Sequence, residues 1–301
     1  MKYVLTGVSN KLGVELCQYL VSYHQKVYAI CNAGKALTNT LPESEFLHVI
    51  YLYKPEYRSL KDQISDADVL VNLGWEEMTS DKDLSTDDFS QCLDSSLDAL
   101  IAARKMGCKL FVNIGSYEEY GITKERQSER TILFPLSEYG RAKKSIGEMA
   151  SEYLRFVGIK YLHLRLFSIY GVFDQHDSLI TNCIDKMKND EKIELPTCLQ
   201  NWNYLYIKDA VKQMVLLMEY ALQKEDFRTE SFQIASEDTR SLQYYIKELK
   251  KILNSRSELI FGSVQADQDY SLQPDMSKTK DAIDFVSDYS FEKGIENIIN
   301  N

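Results

Sequence analysis

Two residues four apart, Tyr139 and Lys143 in the run Tyr139-Gly140-Arg141-Ala142-Lys143, could move a proton between them and a ligand. On a helix, i and i+4 share a face. An ammonium group beside a phenol favours the phenolate, and so draws a tyrosine pKa near 10 toward the working range of a general acid or base. A bare YxxxK also occurs on solvated helix faces, so its weight comes from what surrounds it. One such neighbour is Gly115-Ser116-Tyr117-Glu118-Glu119-Tyr120-Gly121, which follows the apolar run Leu110–Ile114. Ligands of open α/β sheets bind outside the carboxyl ends of strands, where Ser116 would stand and could bond a reacting oxygen beside Tyr139. The plain alternative is a Ser/Gly turn with two solvated glutamates. A third motif is Thr6-Gly7-Val8-Ser9-Asn10-Lys11-Leu12-Gly13, between a strand and a helix. Its glycines allow a tight turn and close backbone approach to a pyrophosphate held at the positive end of the helix. Asn10 replaces the middle glycine of TGxxGxxG, and Asn is the side chain that best tolerates a left-handed backbone. The competing reading is a structural glycine turn.

These residues need a scaffold, and the chain supplies an alternation of strand-like and helical stretches. Strand character marks Tyr3–Thr6, Lys26–Asn32, Phe46–Tyr53, Ala67–Leu73, Leu110–Ile114 and Tyr161–Phe167. Helical periods mark Leu12–Tyr23, Phe89–Met106 and Tyr139–Val157 between them. Short Val/Ile/Leu-rich runs, each followed by a helix, predict a doubly wound parallel sheet of the Rossmann type over residues 1–171. Beyond it the rhythm breaks. A helix near Leu179–Lys188, strands at Ile193–Leu195 and Tyr204–Ile207, and a helix at Asp209–Leu222 follow. Residues 204–224 are expected to return to the first domain. Residues 172–203 and 225–301, with Ser231–Ala235, Leu242–Leu253 and Phe291–Ile299, are expected to form a small α/β lobe.

The chain has 301 residues, is 44% hydrophobic and 27% charged, and carries 35 Lys and Arg against 45 Asp and Glu, a net charge of −10. That is the balance of a globular protein with a sizeable core, and the acidic sign disfavours nucleic acid or an anionic membrane as partner. No apolar run approaches the roughly 18 residues of a membrane span. The start MKYVLTG reads as a strand and a turn rather than a leader, so a cytoplasmic location is expected. Six scattered cysteines, Cys17, Cys31, Cys92, Cys108, Cys183 and Cys198, form no CxxC pair and read as buried thiols rather than a disulfide framework or a zinc site. No metal is expected, since the run Asp174–Asp177 (DQHD) reads as a polar loop.

Together the three motifs resemble the extended short-chain dehydrogenase/reductases, specifically the NAD-dependent epimerase/dehydratase family that modifies nucleotide sugars. Further segments are similar in order down the chain. Asp68–Trp75 resembles the family's fourth strand, Leu164–Gly171 its RxxNxYG segment and Asn203–Asp209 its DFIYVDD segment; Asp275–Lys278 and Tyr289–Gly294 resemble its closing helices. The resemblance implies a nicotinamide cofactor in the Rossmann domain and a nucleotide-activated sugar under the carboxyl-terminal lobe. It implies proton transfer by Tyr139, ribose binding by Lys143 and a hydrogen bond from Ser116 to the sugar. Gly7, Ser9, Asn10, Leu12, Gly13, Asn32, Lys35, Leu73 and Gly74 would join Tyr139 and Lys143 around the cofactor. Trp75, Ser168, Trp202 and Tyr204 would face the substrate.

Departures refine this. Ser168 stands for the family's Asn, and Trp202 for an Arg before DFIYVDD, which bears on nucleotide and diphosphate recognition. At the end of the second strand, Cys31-Asn32-Ala33-Gly34-Lys35 offers no carboxylate for a ribose 2′-hydroxyl and a lysine for a 2′-phosphate, which favours NADP(H) over NAD(H). Glu118 falls on the position of the base in family dehydratases, but Tyr117 replaces the adjacent acid. Redox at a sugar carbon, as a 4-keto reduction or a 4-epimerisation, is therefore expected ahead of 4,6-dehydration. The reading from another class is an NADP-binding sensor or structural subunit without catalysis. The family also implies a homodimer, joined through Phe89–Met106 and Tyr139–Val157, with Leu93, Leu97, Leu100, Met149 and Leu154 either at the interface or on the sheet.

Overall fold

Strands that are apolar on both faces can be satisfied only by helices on both faces, and the computed structural model has that arrangement. It describes residues 1–33, 40–73, 86–123, 125–172, 178–265 and 271–300. The chain runs β1 (Lys2–Thr6), α1 (Lys11–Ser22), β2 (Lys26–Asn32), β3 (Leu47–Leu52), β4 (Val69–Asn72), α2 (Thr86–Lys105), β5 (Leu110–Ser116), α3 (Glu138–Val157) and β6 (Lys160–Leu166). There follow β7 (Ser168–Tyr170), α4 (Leu179–Lys188), β8 (Ile193–Leu195), β9 (Asn201–Tyr206), α5 (Ile207–Gln223), β10 (Thr229–Ile234), β11 (Thr239–Ser241), α6 (Leu242–Ile252), β12 (Leu259–Phe261), α7 (Ser277–Ala282) and α8 (Phe291–Ile299). Seven strands form one sheet in the order β10-β6-β5-β4-β1-β2-β3, and each neighbouring pair is parallel.

Successive strand residues face opposite layers. Leu5, Val71, Val112 and Leu164 meet Leu16 and Leu20 of α1 and Met214 and Met218 of α5. On the other face, Val4, Leu70 and Phe111 meet Leu100 and Ala103 of α2 and Ala150 and Leu154 of α3. Two smaller sheets, β11-β9-β7 and β12-β8, lie with α4, α6 and α8 around a second core that includes Tyr170, Tyr206, Tyr245 and Phe291.

One expected boundary is corrected. Ser231–Ala235, placed by its sequence in the small lobe, overlaps β10, which extends the large sheet from Thr229↔Tyr161 to Ile234↔Leu166. The half-polar run Thr-Glu-Ser-Phe-Gln-Ile suits a strand with only one neighbour. Within residues 204–224, α5 packs on the large sheet, whereas β9 before it belongs to the small one.

All six cysteines are buried thiols, and none forms a disulfide. Burial pushes the thiols of Cys17, Cys92, Cys108 and Cys183 up to about 12, so they are packing residues and not nucleophiles. Among the described residues no helix is long and apolar enough to cross a membrane, and no group of three His, Cys, Asp or Glu is placed to hold a metal ion. The DQHD run lies outside the described residues.

Candidate active site

The glycine turn leaves β1 through Gly7, whose φ of +72° is open to glycine at little cost. Asn10 corrects an expectation. Its backbone is extended (φ −96°, ψ 162°), not left-handed, and its Oδ1 accepts the Gly13 N–H at 2.7 Å as the N-cap of α1. Asn thus serves as a cap, a role it fills better than most residues. Ser9 Oγ accepts the Asn32 N–H at 2.8 Å and ties the turn to the end of β2. A Cβ on Gly13 would lie 2.8 Å from Val8 Cα and 3.0 Å from the Gly7 carbonyl, so the first helical turn meets the loop with no side chain between them. This side-chain-free cradle at a helix N-terminus fits the pyrophosphate of a dinucleotide. Leu12 is half-buried beside the core, and Leu73 is buried at the end of β4. Lys35, Gly74 and Trp75 lie outside the described residues.

At the end of β5, Ser116 is buried, and its Oγ accepts the Glu118 N–H at 3.1 Å to cap the short 3₁₀ turn Tyr117–Tyr120. Having accepted, the hydroxyl keeps its own hydrogen to donate. Glu118 reaches the next element: Ser137 Oγ donates to Glu118 Oε2 and accepts the Gly140 N–H at 3.0 Å as the N-cap of α3. The serine turn and the helix that bears Tyr139 and Lys143 are thereby clasped. Lys143, buried, donates through Nζ to the Ile114 carbonyl at 2.9 Å, two residues before Ser116, and stands 5.5 Å from the centre of the Tyr139 ring. Ser116, Glu118, Tyr139 and Lys143 are thus brought together from β5, its following turn and α3.

Their electrostatics correct a second expectation. Burial lowers the Lys143 ammonium to about 8, against the opposing pull of Glu119, Cys92 and Glu118. Tyr139 is raised, not lowered: burial pushes it up, and Glu118, Glu119 and Cys92 add to the effect. In the chain alone Tyr139 is therefore a neutral phenol.

The substrate-side residues divide. Ser168 begins β7 opposite Tyr204 of β9. The Tyr204 ring packs at 5.0 Å from Tyr245 and 5.8 Å from Phe291, in the small lobe's core. Trp202 bridges that core to a cluster of Tyr120, Phe167, Leu272 and Met276. Its described surroundings are those of a packed residue.

Sequence reading passed over Glu119, which is fully buried under Ser116; its carboxylate takes hydrogen bonds from the Ser116 N–H, His163 and Arg165. Burial raises its carboxyl, and the stronger combined effect of His163 and Arg165 brings it down to about 2. The available signal was a polar residue within each of several apolar strands: Thr6, Asn72, Asn113 and His163.

The model of the NAD dependent epimerase/dehydratase family matches residues 3–235. The CDP-abequose synthase of Yersinia pseudotuberculosis is 25% identical over 257 residues, covering 83% of this chain and 85% of its own length. Among solved structures, a UDP-glucose 4-epimerase of Thermotoga maritima with UDP-glucose superposes with a TM-score of 0.86 at 19% identity, over 100% of this chain and 98% of its own. A UDP-glucuronic acid 4-epimerase of Bacillus cereus with UDP-glucuronic acid and NAD gives 0.84 at 20% identity, over 100% and 99%.

Proposed function

The chain belongs to the NAD dependent epimerase/dehydratase family, and from that premise we propose that it is an enzyme that epimerises a nucleotide-activated sugar at C4. The observation that carries the proposal is the clasp that unites Ser116, Tyr139 and Lys143 at the carboxyl end of β5. A protein that only bound a dinucleotide would need the glycine turn but not this set. A bound nicotinamide would supply the hydride acceptor and donor, held by Gly7, Ser9 and Gly13 at its phosphates and by Lys143 at its ribose. Ser116 would donate its hydroxyl hydrogen to the sugar oxygen and fix the ring carbon. Tyr139, as the phenolate, would take the proton of the C4 hydroxyl as that carbon gives up hydride to the nicotinamide, and as the phenol would return it to the oxygen when hydride comes back to C4. Lys143 would supply the positive charge that makes the phenolate accessible.

Elimination is the weaker reading, because Glu118 holds the Ser137 hydroxyl and Tyr117 faces the Phe167 ring at 6.1 Å. The same three groups would serve a 4-keto reduction, and the product tells the two apart. Incubation with UDP-sugars and CDP-sugars, followed by proton NMR, should show inversion at C4 without net change in NADH; stoichiometric NADH or NADPH consumption would make the enzyme a reductase.

The Bacillus cereus epimerase was solved with NAD. The preference for NADP(H) is supported only by the end of β2, where Cys31, Asn32 and Ala33 present no carboxylate. Equilibrium binding of NADH and NADPH measures it, and NADH binding tenfold tighter would set it aside. For assembly we propose a homodimer through α2 and α3. Leu100 and Leu154 are committed to the sheet, while Leu93, Leu97 and Met149 keep part of their surface and Phe156 is 93% exposed.

A further inference from the structure

A row of polar side chains crosses the apolar sheet beneath this site. Thr6, Asn72, Asn113 and His163 are register partners on β1, β4, β5 and β6, and all are buried. Thr6 Oγ1 donates to Asn72 Oδ1 (2.9 Å), Asn72 Nδ2 to Asn113 Oδ1 (3.0 Å) and Asn113 Nδ2 to His163 Nδ1 (3.3 Å). His163 Nδ1 also lies 3.0 Å from the Tyr161 hydroxyl, and with Nδ1 accepting from Asn113 the ring turns its Nε2 hydrogen the other way. That hydrogen meets Glu119, at 2.9 Å from Oε1 and 3.1 Å from Oε2. Every donor in the row points toward the carboxylate, which also takes Arg165 Nε at 2.7 Å and the Ser116 N–H at 2.9 Å.

Two glycines make room for it. A Cβ on Gly115 would collide with Glu119 Oε1 and His163 Nε2, and one on Gly147 of α3 would come within 3.0 Å of His163 Cε1. The carboxylate therefore lies against the backbone between Ile114, whose carbonyl holds Lys143, and Ser116, whose N–H it holds itself.

We propose that Glu119 is a positioning residue for the reaction: fixed by His163 and Arg165, it sets the Ser116 backbone and presents a constant negative charge to Tyr139 and Lys143. The polar row holds the His163 ring in place against the carboxylate, and Arg165 supplies the opposite charge beside it. The inference rests on Ser116, Tyr139 and Lys143 being the reacting set. Among the described residues, the titratable groups acting on Lys143 are Glu118 and Glu119 from the turn and Cys92 from α2, with the Tyr139 ring on its own helix; β5 contributes the Ile114 carbonyl. The same three, Glu118, Glu119 and Cys92, act on Tyr139.

The test compares wild type, Glu119→Gln and Glu119→Asp in the sugar assay across pH. Glu119→Gln should lower kcat by about tenfold to a hundredfold with KM for the sugar unchanged within about threefold, and both limbs of the pH profile should move about one unit lower. Glu119→Asp, which keeps the charge but shortens the reach, should restore the profile while kcat stays low. A folded Glu119→Gln protein with the wild-type kcat and profile overturns the proposal. Should that variant not fold, Glu119→Asp decides: a kcat equal to that of wild type overturns the proposal. An inactive wild type counts against the reaction itself, whereas an active, unaltered variant counts against Glu119 alone.

Discussion

In the role proposed for it, Tyr139 is a phenol whose proton is held tightly until a positive charge arrives, which is why burial and the carboxylates of Glu118 and Glu119 matter as much as Lys143. Tyr139→Phe should cut turnover by at least about a hundredfold, the scale of a lost general acid, while dinucleotide affinity by calorimetry stays within a few-fold; retained turnover would remove Tyr139 from the reaction. Lys143 loses its proton near 8, so kcat/KM should fall as pH rises through that value. Stability has the opposite sign for this group. Its folded pKa lies below the unfolded 10.5, so its cost is fully present below pH 8 and disappears toward pH 10.5. Glu119, lowered from 4.5 to about 2, contributes stability above pH 4.5 that is lost as pH falls toward 2, about 3 kcal/mol for a group so buried. Denaturant melts at pH 5 and pH 3 should show about 2 kcal/mol of that loss, and the Glu119→Gln protein should lack it. Ser116, Tyr139 and Lys143 were legible because contiguous spacing on one strand end and one helix face announces them. Glu119 was not: beside Glu118 it reads as one of a solvated pair, and its partners His163 and Arg165 lie 44 and 46 residues away.

Among the elements, the alternation of apolar runs and helical periods revealed the large sheet, and most boundaries fell within a few residues of those expected. Two features escaped it. The strand β10 carries too little apolar pattern to declare its sheet, and only the open edge of β6 assigns it. Asn10 was placed in the turn for a left-handed backbone that it does not adopt. The cap makes a distinct prediction. Asn10→Ala should lower stability by about 1 kcal/mol and Asn10→Gly by only a few tenths, read as melting midpoints; a larger loss for glycine would favour backbone conformation over capping. Gly13→Ala would ordinarily stabilise a helix by up to about 1 kcal/mol. Here the added Cβ meets Val8 and Gly7 at 3.0 Å or less, so dinucleotide binding should weaken at least about tenfold, measured by fluorescence of bound NADH.

Across the whole molecule, the large sheet holds the glycine turn and the proposed reacting set at the carboxyl ends of β1 and β5, and the small sheets gather the aromatic core next to them. What the sequence left open here is what only a partner or ligand reveals: the sugar, and the surface of α2 and α3. Light scattering should give a particle of twice 34.8 kDa, and a monomer at working concentration would refute the dimer. Everything proposed for the site depends on Ser116, Tyr139 and Lys143 exchanging hydrogen at C4 of a nucleotide sugar. The decisive experiment is proton NMR of a panel of UDP-sugars and CDP-sugars incubated with the pure protein and, in parallel, NAD or NADP. We predict that one sugar equilibrates with its C4 epimer in the wild type and not in Tyr139→Phe. No change at C4 in any sugar, or equal conversion by both proteins, would contradict the proposed role of these three residues.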